Sequence, residues 1–342
     1  MNRAISKDTS TVPGHLLAPF RIVYAGAERI AGLLADDRLM AVIGFNQVSA
    51  IDREDPRRLS VGLPELGAKE TVEVWFSREP VAIGREGDIA FSRNRQVLFG
   101  HLLVDEAQGL EEVTYNAYRA LVRFISHQGY PHLLRIWNYI PAINAEEGGL
   151  ERYKAFNAGR HRVFAGIPGY EAALPAACAI GTYAPGLLIY FLASREPGIQ
   201  IENPRQLSAF HYPPRYGAKS PCFSRATLKS WKAEDHLYIS GTSSIVGHES
   251  LHRYDPVGQL QETLRNLDGL IANANRYRPL GIASTADLSL LKVYIRDALH
   301  FEPLRKHLID ALGPTADTVF LRGDICRANL QIEIEGAYLG CP

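Results

Sequence analysis

The feature that most constrains this fold is an order of elements that occurs twice. From Val97, VLFGHLLV reads as a strand and residues 110–128 as a helix with Leu110, Val113, Ala117, Leu121 and Phe124 on one face. LLRIWNYI is the next strand, and residues 150–164 are a second helix with Leu150, Tyr153, Phe156 and Val163 inward. An apolar hairpin in residues 172–193 closes the unit. From His236 the order recurs. HLYISGTSSI is a strand, and Asp255-Pro256 is an N-cap and first-turn pair opening a helix with Val257, Leu260, Leu264, Leu267 and Ile271 on one face. LSLLKVYI is a strand, residues 303–312 a helix stopped by Gly313-Pro314, and residues 318–338 a closing hairpin. Two such units, offset by roughly 140 residues, read as an internal duplication and an α+β fold.

This divides the chain into residues 1–200, a crossover over 201–218 and a second domain over 219–342. The crossover, with its Pro, Gly and aromatics, reads as ordered chain rather than a floppy linker. Before Arg95 lie extra strand-like runs, FRIVYAG, LMAVIGF, TVEVWFS and DIAFSRN, spaced for an antiparallel arrangement.

Charge narrows the function. Lys and Arg number 37 against 37 Asp and Glu, which opposes a nucleic-acid or membrane-surface binder and favours a small-molecule protein. The four cysteines form no C-x-x-C pair, so neither a disulfide framework nor a cysteine zinc site is indicated, and reduced cytoplasm is the default. The polar N-terminus is not a secretory signal. Residues 172–193 carry no charge and are long enough to span a bilayer, but GTYAPG in their middle makes a turn and favours a buried hairpin.

The last strand carries the sharpest signal. In LQIEIEG, Leu330, Ile332 and Ile334 face one way and Glu333 and Glu335 the other. Acidic residues are poor strand formers, so the pair marks either a solvated sheet face or a site. We take Glu333 for a site residue. The first unit has LLIYFLA at that place, which implies one site per chain.

Basic and aromatic residues cluster in two segments. Arg135, Tyr139, Arg152 and Arg160 lie in the first unit; Arg205, Tyr212, Arg215, Tyr216 and Arg225 lie in and just after the crossover. Arginine's planar fork matches carboxylates, so such a set converging on a cleft suits a small polyanion, and the competing reading for each is a surface ion pair. His248-Glu249-Ser250-Leu251-His252 fits H-E-x-x-H, which binds zinc only on a helix; here it follows a strand, and the next helix starts at Asp255-Pro256. A polar loop near the cleft, where His248 or His252 touches substrate, is the alternative. No G-x-G-x-x-G, P-loop or G-x-S-x-G occurs.

These segments resemble a known family. SPCFSRATL, HLYISG and the closing EIEG resemble the YjgF-like (RidA-like) reactive-intermediate deaminases. More specifically, RIWNYIPAIN, GLERYKAFNAGR, NPRQLSAFHYPPRYG, SGTSSIVGHESLHRYD and DICRANLQIEIEG resemble the chorismatases over residue 95 to the end. HESLH belongs to that pattern. The resemblance implies two tandem YjgF/RidA-like domains, each a mixed sheet covered on one face by helices, and conversion of chorismate to hydroxybenzoate or a dihydrodiol plus pyruvate. It puts the catalytic glutamate at Glu333 and the carboxylate-binding arginines at Arg205 and at Arg152 or Arg160. By the same resemblance Tyr139 and Tyr212 or Tyr216 would line the pocket, and Arg215 and Gly241 would complete the substrate-facing set. Cys326 and Gly241 are similar to the benzoate-forming members, including the type giving both 3- and 4-hydroxybenzoate.

The expected mechanism is protonation of the enolpyruvyl methylene by Glu333, whose pKa burial or Glu335 would raise. The resemblance then implies internal attack by the ring hydroxyl, loss of pyruvate via an epoxide, and aromatisation. Cys326 either steers that opening or is a small buried hydrophobe. No metal or organic cofactor is implied, and the tandem units point to a monomer. A YjgF-like enamine or imine hydrolase and a non-catalytic binder of aromatic acids are the rivals.

Overall fold

The structure, a computed structural model, describes residues 18–67, 69–313 and 317–340. The polar N-terminus, Pro314 and Cys341 lie outside the described residues. The chain opens with β1 (Phe20–Gly26), α1 (Ile30–Leu33), β2 (Leu39–Phe45), β3 (Ala50–Ile51), β4 (Arg58–Val61) and β5 (Thr71–Ser77). Next come β6 (Ala82–Glu86), β7 (Ile89–Arg93), β8 (Val97–Val104), α2 (Leu110–His127), β9 (His132–Pro141), β10 (Glu146–Glu147) and β11 (Leu150–Glu151). They lead into α3 (Arg152–Phe164), β12 (Ala176–Thr182), β13 (Leu187–Ser194) and β14 (Ile199–Ile201). After the crossover follow β15 (Ala226–Ser230), β16 (Asp235–Thr242), β17 (Ile245–Val246), β18 (Glu249–Ser250) and α4 (Pro256–Tyr277). The chain closes with β19 (Leu290–Ile295), α5 (Phe301–Leu312), β20 (Asp317–Arg322), β21 (Asp324–Ile325) and β22 (Ile332–Leu339).

Three sheets carry the fold. The N-terminal one has the order β1-β5-β2-β4-β3 and is antiparallel except for β2 beside β4. The second runs β21-β12-β9-β13-β8-β7-β6, the third β14-β15-β16-β22-β19-β20. Read from the other edge, the third is β20-β19-β22-β16-β15-β14, which matches the second strand for strand once β21 is set aside. The repeated element order therefore corresponds to a repeated topology. The N-terminal strands differ from expectation in part: β7, the DIAFSRN run, joins the second sheet.

Neither closing segment is a hairpin. β12 lies parallel to β9 and β13 antiparallel to it on the other side, so β9 stands between them; β19 separates β20 from β22 in the same way. The reason lies in the sequence of β13, LLIYFLAS, in which every residue is buried. A strand apolar on both faces belongs in the middle of a covered sheet. The helix before β12 carries the chain across to lie parallel to β9, and β13 returns into the centre. Residues 172–193 are thus two strands, and among the described residues no helix is long and apolar enough to cross a membrane.

Helix periodicity served well. α2 buries Leu110, Val113, Ala117, Leu121 and Phe124 as expected. The Asp255 side chain accepts the Gly258 amide at 2.9 Å, capping α4 with Pro256 at its first position. α3 begins two residues later than expected. Leu150 falls in β11 and is exposed, while Phe156 and Phe164 face the core. α2 and α3 cover one face of the second sheet, and α4 and α5 one face of the third. The opposite faces of those sheets meet each other and the N-terminal sheet in a third core containing Phe20, Trp75, Trp137, Tyr190, Tyr238 and Tyr294.

α3 lies close against α2 because position 159 is glycine: a Cβ there would meet the Glu111 carbonyl and come within 2.9 Å of the Thr114 Cβ. Gly159→Ala should force the helices apart and cost about 1–3 kcal/mol, the range for overpacking a tight interior. Urea unfolding followed by circular dichroism would measure this, and an unchanged midpoint would contradict the packing described.

Candidate active site

A cavity of about 400 Å³ lies among the segment around β10, β11 and the start of α3, the crossover, the end of β16 and the segment leading into β22, and Glu333 is one of its lining residues. Three local features put the carboxyl there. The strand period points Glu333 and Glu335 to the same side of β22, which is the buried side: they are 4% and 5% exposed, so the solvated-face reading fails. Next, the β16–β22 pairing shifts register between Ile239 and Thr242, a bulge that opens the ladder beside Glu333. Last, Gly241 lies in that bulge, and a Cβ on it would collide with the Glu333 Oε1. Absence of a side chain at 241 makes the room the carboxyl occupies.

Glu333 Oε2 accepts a hydrogen bond from the Ser243 hydroxyl at 3.2 Å. Burial, and then the negative charge of Glu335, push the Glu333 pKa up to about 8, while Ser243, Arg135 and Arg225 pull weakly the other way. Glu335 behaves oppositely. Burial works against its charge, but Lys292 and Arg135, with a hydrogen bond from Trp137, hold its pKa below the ordinary value. Near neutral pH the site therefore holds one protonated and one ionised carboxyl.

Cys326 borders the cavity, and burial, followed by Glu333, pushes its thiol up to about 12. It is a neutral S–H, not a thiolate. Tyr153, also on the wall, is likewise held neutral by burial.

Aromatic rings and cations line the remaining wall. The Arg327 guanidinium lies 4.1 Å from the Tyr216 ring centre and 5.2 Å from that of Tyr212. Its Nη1 donates to the His248 carbonyl at 2.8 Å and the Ser250 hydroxyl at 3.1 Å; its buried Nη2 has no partner in the protein. Arg225 donates from Nη2 to the Leu207 carbonyl and the Tyr212 hydroxyl, both at 2.8 Å, and its buried Nε has no protein partner. The Asn144 amide nitrogen and oxygen, and Gln206 Oε1, are equally unpaired, and both residues line the cavity. Buried polar groups without partners are rare; some lie elsewhere in the molecule, and those of Asn144, Gln206, Arg225 and Arg327 gather at this one cavity. Spare donors of this kind can bind a small anion, and a protonated carboxyl beside them can donate a proton.

Of the site residues expected from sequence, Glu333, Cys326, Gly241, Tyr212, Tyr216 and Arg215 come together at this cavity. Arg152, Arg160, Tyr139 and Arg205 do not. Arg152 is paired with Glu106 and Glu147 and donates to the Pro141 carbonyl at 2.8 Å. Arg160 is 2% exposed, stacked among Tyr118, Phe156 and Phe164 with its Nη2 on the Cys222 carbonyl. Arg205 is paired with Glu262. The Tyr139 hydroxyl is fully buried, 3.2 Å from that of Tyr294 and 3.4 Å from that of Tyr190. In each case a partner from a distant segment claims the side chain, which composition does not reveal. Sequence reasoning did not single out as site residues Asn144, Tyr153, Ser243 and Arg327, which also line the cavity. For Arg327 a signal existed, since it adjoins Cys326 in the segment leading into β22.

The H-E-x-x-H residues lie on the β17–β18 ribbon rather than a helix, so the two histidines do not share a helical face. Neither lines the cavity. His248 Nδ1 accepts from Arg215 at 2.8 Å and lies 3.2 Å from the Tyr216 hydroxyl, backing two wall residues, while His252 faces Glu262 at 3.3 Å. Among the described residues no group of three or more His, Cys, Asp or Glu side chains converges to hold a metal ion.

Residues 73–193 match the family of FkbO/Hyg5-like chorismatase N-terminal domains. Over 297 residues the chain is 34% identical to a 3-hydroxybenzoate synthase of Streptomyces hygroscopicus, covering 82% of this chain and 87% of that one. It is 35% identical over 330 residues to a chorismatase of Streptomyces rapamycinicus, covering 93% and 97%. A chorismatase crystal structure superposes with a TM-score of 0.85 at 31% identity over 93% of this chain and 98% of that one. The chain belongs to the chorismatase family.

Gly241→Ala should push the Glu333 carboxyl off its hydrogen bond to Ser243. We expect turnover to fall by at least about a hundredfold, the scale of losing a general acid. The collision is with a side-chain end that can swing away, so the thermal midpoint should fall by only a few degrees. Full activity in this variant would show that the carboxyl need not occupy that space.

Proposed function

We propose that this chain converts chorismate to 3-hydroxybenzoate and pyruvate, with Glu333 as the general acid. The observation that carries the reading is a carboxyl, 4% exposed, in the lining of a cavity that also holds unpaired arginine donors; burial raises its pKa, which supports its holding a proton near pH 7. Chorismate brings two carboxylates and an enol ether. The cavity volume falls within the range of about 300–1,000 Å³ common for small-molecule sites. Arg327 Nη2 and Arg225 Nε are the donors for the substrate carboxylates, and Asn144 can both donate to and accept from the ring hydroxyl.

Glu333 transfers its proton to the enolpyruvyl methylene, which becomes a methyl group and leaves an oxocarbenium ion. The ring C4 hydroxyl attacks C3, the C3–O bond to the side chain breaks, and the bonding pair leaves with pyruvate as its keto oxygen. The hydroxyl proton returns to the Glu333 carboxylate, so the step gives a 3,4-epoxide and pyruvate with no net change in protons. Opening of the C4–O bond, with the neutral Cys326 thiol as a weak donor to the oxygen, and loss of the C3 proton yield the aromatic ring. Substrate and the two products balance without water.

The acid must be protonated, so activity is present below its pKa and lost above it. With that pKa near 8, kcat/KM should be level around neutrality and fall about tenfold per pH unit on the alkaline side. Glu333→Gln should lose at least about a hundredfold at every pH. Chromatography of products from purified protein and chorismate reads the outcome: equal amounts of 3-hydroxybenzoate and pyruvate are expected. A dihydrodiol as main product would replace the internal attack by water. An unreacted substrate, or a Glu333→Gln variant as fast as wild type, would overturn the reading.

A further inference from the structure

Glu333 and Glu335 stand two residues apart on one face of β22, both buried, in environments of opposite kind. Glu335 Oε2 receives Arg135 Nη2 at 2.6 Å, and its Oε1 receives Trp137 Nε1 at 2.7 Å and Lys292 Nζ at 3.1 Å. Glu333 receives one hydroxyl. Lys292 is shared, its Nζ lying 2.9 Å from Glu73 Oε2 and 2.9 Å from the Tyr190 hydroxyl. Glu73 comes from the N-terminal sheet, Arg135 from the second, and Lys292 and Glu335 from the third. Two anions and two cations sum to zero, and none of the four lines the cavity. Buried ions are costly relative to apolar residues of similar volume, so their retention calls for a role beyond cohesion.

We propose that Glu335, with Lys292, Arg135 and Glu73 behind it, is a positioning group for catalysis: the cluster decides which of two adjacent buried carboxyls is the anion and so leaves the proton on Glu333. This deepens, and rests on, the reading of Glu333 as the general acid. The two buried carboxyls repel as anions, so one of them is favoured in the neutral form, and without a bias either can be that one. Lys292 and Arg135 supply the bias by ion-pairing Glu335. Glu73 then cancels the second cation, which would otherwise draw the proton off Glu333 as well. The other groups that act on Glu333 are Arg135 and Arg225, which favour its ionised form, and Cys178, Cys326 and Tyr153, all neutral in their burial. Glu335 is the one fixed negative charge among them.

The test is the alkaline limb of kcat/KM with chorismate in the full-length protein. Glu335→Gln keeps the shape of the side chain and leaves the cluster with one excess positive charge. The limb should move to lower pH by about one unit or more, as expected for a nearby charge. Glu73→Gln, in a different sheet and away from the cavity, should move it in the same direction by less. Adding Lys292→Met to Glu335→Gln restores neutrality and should carry the limb back toward wild type. Near-UV circular dichroism checks that each variant is folded, and if Glu335→Gln is not, Glu73→Gln decides. Limbs that stay in place while the rate drops uniformly would make the cluster purely structural and overturn the proposal. Loss of the general-acid reading would look different: no alkaline limb in wild type, or an active Glu333→Gln.

Discussion

The buried cluster of Glu73, Lys292, Glu335 and Arg135 is the interaction on which the rest of the molecule depends. Each member is 5% exposed or less, and each ion pair in it joins a different pair of strands. Removing one partner from such a group strands the others without compensation, a cost of about 3–5 kcal/mol. The aromatic core around it, with Trp75 at right angles to Trp137 and Trp137 stacked 4.5 Å from Tyr190, supplies cohesion that does not discriminate between orientations. The ionic pairs are directional. They admit one arrangement of the three sheets, and in that arrangement β22 lies with its acids against β9 and β12.

The two repeated sheets divide labour despite their common topology. In the second, the central strand β13 is apolar apart from Tyr190, whose hydroxyl accepts from Lys292, and the terminal Ser194. In the third, the matching strand β22 carries both carboxyls. The second sheet therefore acts as a wall that removes water and contributes Arg135 and Trp137, while the third carries the carboxyl pair. An arrangement in which one copy of a fold buries the acidic strand of the other explains how a carboxyl pair can sit in a dry interior. A single sheet with helices on one face would leave the same strand in water, where a carboxyl is ionised at neutral pH.

Much of this was legible residue by residue. The recurrence of strand, helix, strand, helix, strand, strand was visible, because apolar spacing reports local geometry directly. So was the anomaly of Glu333 and Glu335 in a strong strand, since the period of two fixes which neighbours share a face. The splitting of both closing segments by β9 and β19 was not legible. A turn between two apolar runs looks the same whether the runs pair with each other or straddle a third strand, and only the partners' positions distinguish the cases. The arginines show the same limit. Arg327 and Arg152 are equally able to bind a carboxylate, yet Arg152 meets Glu106 and Glu147 whereas Arg327 keeps one donor unpaired beside the cavity.

What the sequence determined by itself is therefore what depends on near neighbours: the elements, their amphipathic faces, the capped start of α4, and the placing of two acids on one side of the last strand. What only the tertiary structure decided is the chemical state of those acids. Their side of the strand could have met water. It meets the second sheet instead, with two cations placed on Glu335 and a glycine-lined space left for Glu333. Protonation follows from the local dielectric and from charges contributed by segments some 200 residues away in sequence, such as Arg135, and such a field exists only once the chain has folded.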